Sequence, residues 1–139
     1  MPTLTPGDGQ DLLAAYKDAW ERRDPDAALE LYADSAEHRD DPFEEPLVGS
    51  NAIRELWNAR AASQTNVEFD AERIWTSASW VLSSYHAAYT DRASADRIRR
   101  RGILAFELND DKRILRARDW PVSRRVGIDS TIKPAGEAA

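Results

Sequence analysis

The stretch Asp24-Pro25-Asp26-Ala27-Ala28-Leu29-Glu30-Leu31-Tyr32-Ala33-Asp34-Ser35-Ala36-Glu37-His38-Arg39-Asp40-Asp41-Pro42 decides the fold. Asp24 is suited to cap a helix, and Pro25 sits in the first turn, where a missing N–H costs nothing. The spacing predicts a helix over 24–33 with Leu29 and Tyr32 on its inner side. The polar segment that follows does not continue a helical stripe. In an extended chain Ala36, His38 and Asp40 share one face, and Glu37, Arg39 and Asp41 share the other. Pro42, Pro46 and Gly49 then interrupt any regular element. A short strand therefore stands among helices.

Upstream, Asp8 is positioned to cap a helix whose apolar stripe is Leu12, Leu13, Tyr16, Ala19 and Trp20. Downstream, Ser50 is positioned to cap a third helix, with Ile53, Leu56 and Trp57 inward. After Gln64 the period changes. Val67, Phe69 and Ala71 alternate with Glu68, Asp70 and Glu72, as in a half-buried strand, and the alternation slips near Ile74-Trp75 as a bulge would make it. Further strands are expected over Trp80–Tyr89, Arg97–Leu108 and Ile114–Trp120. The turns between them lie at Asp91–Ser94 and Asn109–Lys112. Such an order predicts an α+β domain: a cone-shaped, curved antiparallel sheet packed against three N-terminal helices. The mouth of such a cone is a natural pocket. The expected organisation is a flexible tail at 1–8, one domain over 9–125 and a flexible tail at 126–139.

A chain of 139 residues supports one core. It has no cysteine, which excludes disulfides, thiolate catalysis and thiolate metal sites. No apolar run approaches the roughly 20 residues of a membrane span. Met1-Pro2-Thr3-Leu4 lacks the basic start of a signal peptide, so a cytoplasmic location is expected. Residues 1–72 carry 17 acidic and 6 basic side chains, and residues 73–139 carry 8 and 13. With an overall net charge of −6, the two halves are expected to offset each other, which argues against a nucleic-acid surface.

Asp24-Pro25-Asp26-Ala27-Ala28-Leu29, Leu31-Tyr32-Ala33-Asp34, Asp41-Pro42, Gly49 with Ala52-Ile53 and Trp57, and the segment Ile114–Trp120 together resemble the nuclear transport factor 2-like superfamily. Within it the chain resembles the SnoaL-like and ketosteroid-isomerase-like branch over residues 9–125. The resemblance implies a small-molecule pocket without cofactor or metal. It further implies acid/base chemistry of isomerase, cyclase, dehydratase or epoxide-hydrolase type on a compact apolar or aromatic compound. It also implies a homodimer through the outer sheet face. The alternative on the same fold is a non-catalytic ligand-binding or dimerisation module.

By that resemblance Tyr16 stands where the isomerases keep an oxyanion donor. Gap-free counting from Tyr16 selects Asp40 as the general base, whereas the Asp-Pro pair selects Asp41. Asp40 is favoured because His38 shares its face. Leu104 stands where the isomerases keep a second, acidic donor. Asp119, in Arg118-Asp119-Trp120, resembles the water-activating aspartate of limonene-epoxide-hydrolase relatives, although an ion pair with Arg118 or a neighbouring arginine is the simpler account of it. His86 resembles the histidine segment of scytalone dehydratases. The catalytic candidates are therefore Asp40, Tyr16, Asp119 and His86. Trp20, His38, Trp57, Leu104 and Trp120 are expected to line the pocket. Arg97, Arg99, Arg100, Arg101, Arg116 and Arg118 form a basic strip that is either solvated or holds an anion or the acidic half of a second subunit.

Overall fold

Three helices and six strands follow one another through the computed structural model, which describes residues 1–126. The helices are α1 (Pro6–Glu21), α2 (Pro25–Leu29) and α3 (Ser50–Ser63). The strands are β1 (Tyr32–Arg39), β2 (Leu47–Val48), β3 (Gln64–Ser77), β4 (Trp80–Asp91), β5 (Arg97–Leu108) and β6 (Ile114–Val126). The tail expected at 126–139 lies, apart from Val126, outside the described residues. No helix among them is long and apolar enough to cross a membrane.

Helix α1 starts two residues before the expected cap. Thr5 is the N-cap, and Asp8 is its capping-box partner, with the Asp8 carboxylate 2.8 Å from the Thr5 N–H. Residues 1–8 are correspondingly not all tail. Leu4 is buried, and its N–H donates to the Ala78 carbonyl at 2.9 Å, tying the chain to the β3–β4 turn.

Helix α2 is capped by Asp24, as the sequence predicts, but it stops at Leu29 rather than Ala33. The sheet claims the remaining residues: Tyr32 pairs with Ile114, and the Ile114 N–H donates to the Leu31 carbonyl at 2.7 Å. At α3 the N-cap is Gly49, whose φ of +90° favours glycine, and Ser50 is already inside the helix.

The sheet order is β2-β1-β6-β5-β4-β3. Strands β3 to β6 form the expected antiparallel meander. One pairing differs: β1 runs parallel to β6, so the curved sheet is mixed. That pairing closes across most of the chain, which leaves ample length for the crossover a parallel pair requires. The slip in β3 falls between Ala71 and Arg73, slightly before the expected place, and it leaves Glu72 out of the ladder.

Helices cover one face of the sheet. Tyr16, Trp20, Trp57, Phe69, Tyr85 and Phe106 meet there at centroid separations of 5.3–6.3 Å, mostly edge to face. Each such ring stabilises the fold by about 1.5–3 kcal/mol through burial alone. Aromatic side chains thus pack together in the interior.

A buried carboxylate–arginine cluster opening on a cleft

Strand alternation decides which polar groups enter this interior. On β4 the inward residues are Val81, Ser83, Tyr85 and Ala87; on β5 they are Ile98, Arg100, Leu104 and Phe106; on β6, Ala117 and Asp119. On β1, Ala36 and His38 point inward, and Asp40 continues that face just past the strand end. From α3 the stripe Ile53, Trp57 delivers Arg60 one turn later.

These groups converge. Arg100 Nη2 lies 2.5 Å from Asp119 Oδ2 and 3.9 Å from Asp40 Oδ2. Arg60 Nη2 donates to Asp40 Oδ2 at 3.3 Å, and its Nη1 donates to Tyr16 Oη at 3.4 Å. The Tyr85 hydroxyl is 2.9 Å from both Asp119 oxygens and accepts from Arg100 Nε at 3.0 Å. His38 Nε2 is 2.7 Å from Asp40 Oδ1, while Nδ1 is 3.0 Å from Tyr32 Oη. The Arg60 guanidinium lies 4.7 Å from the Trp20 ring and 4.6 Å from the Trp57 ring. Each such desolvated cation–π contact contributes roughly 1–2 kcal/mol.

Gly102 makes room for this arrangement. A Cβ there would meet the Trp120 carbonyl oxygen at 2.8 Å and Tyr85 Cε1 at 3.1 Å. Only a residue without a side chain lets Tyr85 lie across β5 toward Asp119.

The charge balance is set by burial against pairing. Burial alone would raise the Asp40 pKa, but the His38 hydrogen bond and the charges of Arg60 and Arg100 outweigh it. The carboxyl is held well below the usual carboxylate range. Burial pushes the Tyr16, Tyr32 and Tyr85 hydroxyls up, so all three stay protonated at neutral pH. Arg100 is desolvated, yet Asp119 and Tyr85 hold its guanidinium charged.

Access is uneven. The Asp40 side chain is 31% exposed, against 11% for Arg100, 7% for Arg60 and 2% for Asp119. Asp40 borders a cleft of about 490 Å³ that is also lined by Asp41, Pro42, Trp120, Pro121 and Val122. Asp41 accepts from the Phe43 N–H at 2.9 Å and shapes the turn there.

The other candidates separate clearly. Tyr16, Trp20, Trp57, Leu104 and Asp119 are all buried on the inner side, and Tyr16 sits beneath Arg60 rather than at the cleft. His86 does not join them. It alternates with Tyr85, so it faces outward, where it pairs with Glu72 at 3.1 Å and Asp70 at 3.5 Å. Trp120 also faces outward, 47% exposed, and rims the cleft. Asp119 pairs with Arg100; Arg118 instead turns out to Glu37 at 3.1 Å.

The basic strip splits in the same way: Arg97 meets Glu68, Arg101 meets Glu72, and Arg100 turns in. Among the described residues Arg99 and Arg124, direct partners across β5 and β6, meet no carboxylate within 4.0 Å. A second depression of about 470 Å³ lies there, bounded by Arg99, Arg100, Arg101 and Arg124 with His86 and Glu68.

Arg60, Arg100, Tyr85 and Tyr32 were not among the expected site residues. Each carried a signal. Arg60 continues the spacing of Ile53 and Trp57, and Arg100 shares parity with Ile98, Leu104 and Phe106. Tyr85 shares parity with Val81, and Tyr32 precedes the inward residues of β1.

Among solved structures the chain is similar to the epoxide hydrolase/cyclase-like enzyme SalBIII of pyran ring formation in the polyether salinomycin. The TM-score is 0.75 at 18% identity, over 84% of this chain and 92% of that one. It is also similar to an LEH-like epoxide hydrolase of M. tuberculosis, with TM-score 0.70 and 18% identity over 84% of each chain. A third is a ketosteroid isomerase-like protein of Catenulispora acidiphila DSM 44928 in complex with trimethylamine. It gives TM-score 0.72 and 15% identity over 84% of this chain and 86% of that one. At these identities the likeness speaks for the fold. No curated protein matches the chain in sequence. The model of the SnoaL-like domain matches residues 13–117, most of the length, and so the chain belongs to the SnoaL-like family of the nuclear transport factor 2-like superfamily.

Proposed function

We propose that this protein is a cofactor-independent acid–base enzyme for a compact, mostly apolar ring compound, with Asp40 as the carboxylate that meets the substrate. The observation that carries this reading is the exposure gradient: the cluster is sealed except at Asp40, which borders the cleft. Trp120, Pro121 and Val122 would receive the apolar part of the ligand. Asp40, held ionised by its partners, would accept a hydrogen bond from a hydroxyl or water and take its proton as the new bond forms. It is a weak base acting by position rather than one tuned toward neutrality. The freed oxygen pair would form a new C–O bond at an epoxide carbon, and the opened epoxide oxygen would take a proton back from Asp40 or solvent. Arg60 and Arg100 offset negative charge as it builds on oxygen. The names of SalBIII and of the mycobacterial hydrolase support the epoxide-opening choice among the reactions hosted by this fold.

A second reading has its own support. Both carboxylates are already balanced by guanidinium groups, and aromatic rings pack together in the interior, as a non-catalytic ligand-binding or dimerisation module requires. The two readings part on one experiment. The protein is incubated with hydroxy-epoxides, terpene epoxides and aromatic hydroxyketones, and product is followed by mass spectrometry beside ligand-induced thermal shift. Turnover supports the enzyme; a thermal shift with no product supports the module.

A homodimer through the outer sheet face completes the proposal. Trp75 and Ile103 are exposed there by 47% and 39%, and Ile103 lies beside the Trp120 that rims the cleft.

A further inference from the structure

We propose that Trp57 and Tyr32 fix the ring proton of His38 on Nε2, making His38 a constant hydrogen-bond donor that positions the Asp40 carboxylate. The positioning role rests on Asp40 being the carboxylate that meets substrate; the position of the proton does not. Trp57 can only donate, and its Nε1 lies 3.4 Å from Tyr32 Oη. Tyr32 keeps its own hydrogen, and His38 Nδ1 lies 3.0 Å away to accept it. A donor aimed at Nδ1 requires that nitrogen to be bare. The neutral ring then carries its hydrogen on Nε2, 2.7 Å from Asp40 Oδ1, which only accepts while ionised.

Tyr32, Trp57 and His38 are each 2–3% exposed, so water does not compete for these groups. In the opposite tautomer two faults would appear together. The Nε2 lone pair would face a carboxylate oxygen, and among the described residues the Tyr32 hydrogen would have no acceptor within hydrogen-bond distance. Both are buried polar mismatches of the kind folded proteins avoid.

His38 is therefore a positioning residue in one tautomer. It holds Oδ1 while Arg60 holds Oδ2, and the remaining lone pairs of Asp40 are left to the cleft.

The test is a long-range ¹H–¹⁵N correlation spectrum of the two histidines of the whole protein at about pH 8, where an unperturbed imidazole is neutral. His86, with a side chain 46% exposed, supplies the second set of signals. The expected His38 pattern is a protonated Nε2 and a bare Nδ1. In Tyr32→Phe the His38 shifts move toward a tautomer average. A protonated Nδ1 or an averaged pattern in the native protein overturns the proposal, and so does a Tyr32→Phe spectrum identical to native. If Tyr32→Phe does not fold, the native spectrum decides alone. No substrate is involved, so failure of the catalytic reading and failure of this one are read separately.

Discussion

Arg100 reaches Asp119 across one strand pair, with Nη2 2.5 Å from Oδ2, although their direct ladder partners are Ser123 and Leu104. The diagonal approach leaves the guanidinium face toward Trp20, 5.8 Å away, and one edge toward Asp40. One arginine therefore ties the sealed carboxylate to the open one.

Breaking that pair from one side should cost more than removing it whole. Arg100→Met leaves Asp119 buried and unpaired, and a loss of about 3–5 kcal/mol is expected. Arg100→Met combined with Asp119→Leu should recover a large part of it. Urea unfolding of the two single variants and the double variant measures the coupling.

Gly102→Ala places a methyl group 2.8 Å from the Trp120 carbonyl oxygen, a backbone atom that cannot swing aside. Overpacking of this kind costs roughly 1–3 kcal/mol. The near-ultraviolet circular dichroism of the Tyr85 environment should change with it, while the far-ultraviolet spectrum is kept.

Acid should erase the contribution of Asp40. Its folded pKa lies below its unfolded value, so the stability it confers is present above about pH 4 and is lost as pH falls toward the depressed folded value. Asp40→Asn lacks the ionisation. The gap in urea midpoint between native protein and Asp40→Asn should therefore be widest near neutral pH and shrink below about pH 4. A gap that stays constant over that range contradicts the assignment.

Ile103→Glu should halve the mass in light scattering without changing the circular dichroism spectrum, because Ile103 and Trp120 are neighbours on the outer face. Glutamate next to its exposed partner costs little in a monomer but much in an apolar interface.

Local signals in the sequence went a long way. The alternation in β3 to β6 and the stripes of α1 and α3 come from side chains that each meet one environment, so period reveals position. The end of α2 was not legible, because Tyr32 and Ala33 fit a helical stripe and are taken by a distant strand instead. The parallel β1–β6 pairing was hidden for the same reason. His86 and Asp119 both sit on strands and both are polar, yet only the parity relative to Tyr85 and Ala117 tells that one faces out and the other in. Arg60 escaped notice and Arg100 was read only as part of a basic strip, because arginine on an apolar stripe reads as solvent-facing until its partners, here Asp40 and Asp119, are brought from other elements.

The role of Asp40 is tested most directly by kcat of Asp40→Asn against native protein on a hydroxy-epoxide that the native protein turns over. Loss of a general base lowers the rate by about 10²- to 10⁴-fold. The predicted result is a fall of that size in kcat, with KM and ligand-induced thermal shift retained. Turnover by Asp40→Asn within a few-fold of native would contradict the assignment of Asp40 as the working carboxylate.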